Sequence, residues 1–281
     1  MGPEAAQFCT EHLPDYVQHL ISDGDRDIRD ALRLAFLKMD KEWEKEALRK
    51  RCEAGAVGVF VYYQCGFERQ SDCLYVANVG DCRAILCSKG KAKVLTEDHN
   101  GKNQQERARV GEQNMPRNSD LLSNHIQVTR AIGDYVTTSN EGQYTHKKVD
   151  GLISEPHIEK HELSDDDEFM IIACDGLWDV VSNDIAMKQC RRSLRRDGNV
   201  QKAAHKLITL AKEVSNQRAC NVVVKGDGDV AKATSDNISV MVIGFAKKDK
   251  TIVPGFPPIP RPSGSRLRRK LGRSTSTPSP Q

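Results

Sequence analysis

The feature that most constrains this chain is the position of its acids relative to its apolar runs. Asp81 follows Leu74–Val79 after a single glycine, Gly80. Asp175 directly follows Phe169–Cys174 and precedes Gly176, and Asp179 stands four residues further on, after Leu177-Trp178. Asp236 and Asn237 precede the last apolar run, Ile238–Phe245. Short apolar runs bounded by acids or glycine are the pattern of buried strands. A carboxylate at the rim of a buried strand is costly unless it is hydrogen-bonded, paired or bound to a cation. Taken singly, each of these acids reads as a turn or helix cap. Several such rims converging would make an all-carboxylate site, which selects hard cations such as Mg²⁺ and Mn²⁺. Two such ions close together would activate water and clamp a phosphoryl group.

The rest of the chain places these rims in an α+β frame. Glu4 to Ile21 predicts a helix with Pro14 as an interruption. Ser22-Asp23-Gly24-Asp25 predicts a turn. Ile28, Ala31, Leu32, Ala35, Met39 and Trp43 recur at helical steps and predict a helix from Ile28 to about Lys50, with Trp43 in the core. Ala54–Tyr63 predicts a strand, and Cys73–Val79 and Arg83–Cys87 a strand pair around Gly80-Asp81. Asn100–Leu122 is polar apart from a helical stretch near Gln104–Val110, Ile126–Val128 suits a short strand and Ser139–Asp150 predicts a loop. Asp184–Leu194 and Val200–Val214 predict helices, and Arg218–Ser235 an irregular stretch. Helices before, between and after strands argue for sheets covered by helices.

Charge enters the argument by position. The formal net charge is +3, from 42 bases and 39 acids. Residues 254–281 hold six of the bases, no acid and seven of the 11 prolines, leaving a folded body of net charge −3. The body therefore gives no sign of a nucleic-acid partner. Residues 251–281 predict a disordered basic tail rich in Pro and Ser. Its Arg266-Leu267-Arg268-Arg269-Lys270 suits nuclear import or an anionic surface, and Ser274, Thr277 and Ser279 suit phosphorylation. No run approaches a membrane span, and Met1-Gly2-Pro3-Glu4 lacks a signal-peptide pattern. The nine cysteines include no C-x-x-C pair, and several lie in apolar runs. That predicts reduced thiols and a cytoplasmic or nuclear protein.

Five strings stand in order: Leu74-Tyr75-Val76-Ala77-Asn78-Val79-Gly80-Asp81-Cys82-Arg83-Ala84, Leu95-Thr96-Glu97-Asp98-His99, Val128-Thr129-Arg130-Ala131-Ile132-Gly133-Asp134, Ile172-Ala173-Cys174-Asp175-Gly176-Leu177-Trp178-Asp179-Val180 and Ser235-Asp236-Asn237-Ile238-Ser239-Val240. Together they resemble the successive motifs of the metal-dependent protein Ser/Thr phosphatases of type 2C, the PPM family, over Gly2 to about Phe245. The resemblance implies two packed antiparallel sheets flanked by helices, an α-β-β-α sandwich, in a domain over residues 1–250. It implies two Mn²⁺ or Mg²⁺ ions, with a weaker third site, whose bridging water attacks phosphorus on phosphoserine or phosphothreonine proteins without a phosphoenzyme. Asp175 and Asp236 match the ligands of the ion pair. Asp81, Asp175 and Asp179 match the third site. Gly80, Gly176, Asn237, Arg130 and Asp134 match the surrounding motif positions. A monomer that binds neither nucleic acid nor membrane is expected.

The chain also departs from the family pattern. The resemblance implies an R-x-x-M-E-D-like motif, whose Arg grips phosphate. It also implies a D-G-H-G-G motif, which supplies a bridging Asp and a His general acid. Gly2-Pro3-Glu4-Ala5-Ala6 resembles the residues just after them, so these motifs and the strands of that segment are expected to be missing here. No His in this sequence follows Asp-Gly. Glu53-Ala54-Gly55-Ala56-Val57 stands where the family has S-G-S/T-T-A, without the Thr, and Thr129 replaces the usual Ser before Arg130. A catalytically impaired member that binds or scaffolds phosphoproteins is the alternative reading.

Remaining candidates are weaker. Asp23, Asp25 and Asp27 alternate like a calcium loop, but Ile28 and Leu34 occupy its glycine and glutamate positions, so a solvated helix-capping turn is expected. His99 and His125 are read as structural rather than as proton donors, and Trp178 as a wall beside the acids. Arg191, Arg192, Arg195 and Arg196 form a basic helix surface, either a solvated face or a docking patch for acidic or phosphorylated partners.

Overall fold

The structure is a computed structural model that describes residues 2–22, 26–66, 71–116, 119–123, 126–140, 143–224 and 237–245. Asp236, His125, Asp23, Asp25 and the tail from residue 251 lie outside these residues.

Two antiparallel sheets face each other. The first has the order β2-β3-β9, built from β2 (Gly58–Gln64), β3 (Cys73–Val79) and β9 (His157–Glu162). The second has the order β11-β10-β4-β5, built from β4 (Arg83–Ser88), β5 (Lys91–Val94), β10 (Asp167–Ala173) and β11 (Val240–Gly244). Period-two alternation sorts the side chains into layers. Leu74 and Val76 of the first sheet meet Ala84, Leu86 and Met170 of the second, with Leu95, in a cluster between the sheets. The opposite face of β3, carrying Tyr75, Ala77 and Val79, packs on α1 (Glu4–Ser22) and α2 (Ile28–Lys50) through Leu32, Phe36, Met39 and Trp43. The opposite face of the second sheet, with Ile85, Phe169, Ile171 and Ala173, packs on α4 (Asp175–Trp178), α5 (Asn183–Asp197) and α6 (Val200–Val224). This is the expected four-layer α-β-β-α sandwich. It explains why β3 is buried at every position: both of its faces are covered.

Smaller elements lie around the rim. α3 (Gln104–Val110) is capped by Asn103, whose side chain accepts from Gln105 N and Glu106 N. β1 (Gly55–Ala56) pairs with β6 (Ile132–Gly133), and β7 (Tyr135–Asn140) pairs with β8 (Gln143–Lys148). Asp27 caps α2 by accepting from Arg29 N at 2.8 Å, the capping role expected of that acid run.

Several expectations are corrected. Pro14 does not interrupt α1, which runs unbroken from Glu4 to Ser22; buried Leu13 and Val17 on either side of it pin both halves to the core of α2. Cys73–Val79 and Arg83–Ser88 do not pair with each other: they belong to different sheets, and Gly80-Asp81-Cys82 is the crossing between them. Residues 139–150 are largely the β7/β8 hairpin rather than a loop, supported by a Thr138–Thr145 hydroxyl contact at 2.8 Å and stacking of Tyr135 on His146. The helix from Val200 extends to Val224, into the stretch expected to be irregular. β5 and β9, edge strands rich in charge, have no apolar run to announce them.

Candidate active site

The crossing between the sheets builds the site. β4 and β10 pair with Arg83 opposite Ala173. The pairing ends there, so Cys82 and Asp81 leave one strand beside the point where Cys174 and Asp175 leave the other. Each acid is therefore delivered by the end of a buried strand, on adjacent chains of one sheet. Burial first, and then the nearby Asp175, push the Asp81 carboxyl up to about 6, with Asp98 and Asp179 adding to the effect against a backbone hydrogen bond. The four acids thus share one electrostatic neighbourhood.

Local structure explains the approach. Gly80 has φ +85°, and a Cβ there would overlap Val57. The turn it makes is tied by His99 N donating to Gly80 O at 3.0 Å and by buried Asn78 Nδ2 donating to Glu97 O at 2.8 Å. Asp175 opens α4, a single turn, and accepts from Gly176 N at 2.8 Å through Oδ1; Asp179 N donates to Asp175 O at 2.8 Å, which brings Asp179 back over the same turn. Trp178 Nε1 donates to Ala173 O at 2.9 Å and to Arg83 O at 3.2 Å, so one indole fastens the ends of both acid-bearing strands. A Cβ on Gly176 would lie 2.6 Å from Asn237 O. Cys174 Sγ donates to the same carbonyl at 3.2 Å and accepts from Ser239 N at 3.3 Å. These contacts hold the approach to β11 against Asp175.

The Arg130 and Asp134 side chains serve a neighbouring framework, although Arg130 O lies beside the Gly80 turn. Arg130 Nη2 donates to Glu106 Oε1 at 2.6 Å and its Nη1 to Glu155 O at 3.0 Å. Glu106 is buried, which by itself raises a carboxyl, yet hydrogen bonds from Arg130, Arg109 and Thr129 hold it well below the usual carboxylate range. Asp134 has φ +55° and packs against Gly55, where a Cβ would overlap its carboxylate. Burial pushes Asp134 up to about 6 although Lys148 pulls it down. Lys148 Nζ donates to Asp40 at 2.7 Å and to the carbonyls of Ala131 and Gly133 at 3.0 and 2.9 Å.

Beside the acids lies a groove of about 580 Å³ lined by Arg83, Asp98, Lys102, Asn103, Trp178 and Asp179, among others. Asp98, Arg83 and Lys102 were not singled out by the acid-after-strand pattern. Arg83 grips Asp98 through Nε at 3.1 Å and Nη2 at 2.5 Å, donates from Nη1 to Asn183 Oδ1 at 2.8 Å, and lies 5.4 Å from the Trp178 ring. Lys102 is exposed and has no ion pair among the described residues. The signal for Asp98 was present, in an acid ending the Leu95-Thr96-Glu97-Asp98 run after β5. Arg83 and Lys102 carry none in local sequence.

The donor chemistry fits a hard divalent cation. Asp81, Asp175 and Asp179 are oxygen donors on neighbouring chain ends, and burial, then the charge of Asp175, raises Asp81. Among the described residues, no three His, Cys, Asp or Glu are already placed to hold an ion together, and Asp236 is outside them. No helix among the described residues is long and apolar enough to cross a membrane.

The sequence profile of protein phosphatase 2C matches residues 1–219. The chain is 33% identical over 273 residues to probable protein phosphatase 2C 13 of Arabidopsis thaliana, covering 95% of this chain and 63% of that protein. It is 30% identical over 257 residues to probable protein phosphatase 2C 2 of Oryza sativa subsp. japonica, covering 88% and 60%. It therefore spans about three-fifths of the length of these relatives. Among solved structures, a serine-threonine phosphatase 2C from Toxoplasma gondii aligns with a TM-score of 0.60 at 19% identity over 85% of this chain and 81% of that one. A C. elegans sex determining protein aligns with a TM-score of 0.64 at 20% identity over 87% and 53%.

Proposed function

The chain belongs to the protein phosphatase 2C family, and from that premise we propose that it acts on phosphoserine and phosphothreonine proteins with the help of Mn²⁺ or Mg²⁺. The observation that carries this reading is the convergence of Asp81 and Asp175 at the sheet crossing, with Asp98 and Asp179 in the same field. Asp81, Asp175 and Asp179 would hold divalent cation, joined by Asp236 on the motif it shares with the family. A bound cation would supply Lewis-acid polarisation of the phosphoryl group and an activated water. The chain's own residues do the remaining work. Trp178 keeps the two acid-bearing ends together. Arg83 orients Asp98 along the groove wall. Lys102, exposed at the groove, is placed to pair with a phosphate oxygen. The eight free cysteines among the described residues support a reducing compartment, cytoplasm or nucleus.

A second reading, an impaired member that binds phosphoproteins, is favoured by two sequence features: no His follows Asp-Gly, and Glu53-Ala54-Gly55-Ala56-Val57 lacks the Thr of the family's S-G-S/T-T-A. Slow turnover is therefore expected of these 281 residues alone. The test is phosphate release from a phosphothreonine peptide with Mn²⁺, with EDTA, and with Asp175→Asn, beside Mn²⁺ titration calorimetry. The phosphatase reading expects low turnover and Mn²⁺ binding, both lost in Asp175→Asn. Mn²⁺-independent hydrolysis, or hydrolysis unchanged in Asp175→Asn, refutes it. Phosphopeptide binding with no turnover at all supports the second reading.

A further inference from the structure

α5 carries a cationic groove that the phosphatase chemistry does not use. About 590 Å³ in volume, it is lined by Lys188, Arg191, Arg192, Arg195 and Arg196 over Gly90 and buried Met187. Arg191 is committed: its Nε and Nη2 each lie 2.7 Å from the Glu168 carboxylate. Arg196 is committed to Asp197, with contacts at 3.0 and 2.8 Å. Lys188, Arg192 and Arg195 are exposed and have no ion pair among the described residues. They recur at i, i+4 and i+7, so they form one stripe on one helix face. The opposite face, with Ala186, Cys190 and Ser193, is buried. Three unneutralised cations flanking a concavity are complementary to anions, and guanidinium forks suit carboxylates and phosphates.

The place of the helix gives the groove a purpose. α5 starts at Asn183, whose side chain accepts from Arg83, a residue lining the acid-rimmed groove. From Asn183 to Arg195 the helix rises about 18 Å at ~1.5 Å per residue. An extended peptide covers that distance in about five or six residues at ~3.3 Å each. The chain's own basic tail has the wrong sign to fill the groove, since residues 254–281 contain six bases and no acid. A body of net charge −3 disfavours a long polyanion such as nucleic acid, whereas a short acidic segment meets only the groove.

We propose that the α5 groove docks an acidic or multiply phosphorylated segment of the phosphoprotein substrate whose phosphoresidue occupies the groove lined by Arg83 and Lys102, the docked residues lying about two to six residues past the point where the segment crosses Asn183. This rests on the phosphatase reading for the identity of the second site, but its test reads binding alone. The probe is a fluorescein-labelled 12-residue peptide with one phosphothreonine and four glutamates beginning three residues away, measured by anisotropy against a peptide with serines in place of the glutamates. The whole 281-residue chain is used. The acidic peptide is expected to bind at least tenfold tighter at 50 mM NaCl, with the advantage shrinking at 300 mM. Lys188→Glu/Arg192→Glu/Arg195→Glu should abolish the advantage, and the matching triple Ala variant should reduce it. These positions are exposed, so circular dichroism and melting should match the wild type. Equal binding of the two peptides, an advantage retained in both variants, or tighter binding of a 12-nucleotide single-stranded RNA or of phosphatidylserine vesicles would overturn the proposal. Failure of the phosphatase reading shows separately, as absence of Mn²⁺-dependent phosphate release from the peptide without glutamates.

Discussion

His99 should make this fold sensitive to mild acid. The ring is fully buried, and neither ring nitrogen has a hydrogen-bond partner. Burial first, and then the Arg130 guanidinium, with smaller contributions from His157 and Arg109, push its pKa down to about 3, against the opposing charge of Glu106. An unfolded chain binds the proton near pH 6.5. Between those values the unfolded state holds more protons than the folded one, so stability falls as pH falls from about 6.5 toward 3. The linkage relation gives a loss of about 2 kcal/mol between pH 7.5 and 5.0 from this one residue. Any folded value below about 4 gives that figure to within ~0.1 kcal/mol. Because other groups titrate over the same range, the measurement is a double difference. Urea unfolding of the wild type and of His99→Phe is compared at both pH values, with His99→Leu guarding against overpacking by the larger ring. The wild type should lose about 2 kcal/mol more than either variant on acidification. At pH 7.5 the variants should be as stable or more so, since no hydrogen bond is removed. Equal acid sensitivity in wild type and both variants would refute the reasoning and mean that the imidazole already has a partner or an open path to water.

Two further predictions concern the framework and the site. Lys148→Met strips Asp40 of its buried cation and takes a donor from the carbonyls of Ala131 and Gly133. It should cost about 3 kcal/mol in urea unfolding, and the double variant with Asp40→Asn should recover part of the loss. Gly176→Ala drives a methyl to within 2.6 Å of the Asn237 carbonyl. It should cost about 1–3 kcal/mol and weaken the thermal stabilisation conferred by Mn²⁺; a variant that melts and responds like the wild type would rule out the close approach as a requirement.

Local sequence revealed the elements whose environment is uniform and hid those whose environment is set elsewhere. β3, β4 and β10 read clearly because they are apolar on both faces, and α2 because one face alone is apolar. β5, β9 and the β7/β8 hairpin did not, because edge strands with solvent on one side carry charged and polar residues. The acids Asp81, Asp175 and Asp179 were legible as strand-end punctuation. Which strand ends meet was not, since register between β4 and β10 is a contact across about ninety residues that no local pattern encodes. For the same reason Arg83 went unread: its partners Asp98 and Asn183 lie 15 and 100 residues away.

The crossing at Gly80-Asp81-Cys82 explains why like charges are tolerated here at all. Had Cys73–Val79 and Arg83–Ser88 formed a hairpin, Asp81 would sit on an exposed turn, free to turn its carboxylate into water. Because the two strands enter different sheets, the connection must pass over the edge of the inter-sheet core. There the Arg83–Ala173 register and the Trp178 indole bring the Asp175 chain alongside. Repulsion among these acids opposes folding of the cation-free chain, and the apolar layers on either side of the second sheet offset it. A site built this way is expected to gain stability from a divalent cation by mass action. Asp81→Asn should therefore raise the melting temperature in EDTA while lowering the increment Mn²⁺ adds. A fall in both would mean that Asp81 is held by its hydrogen bonds rather than strained by its neighbours.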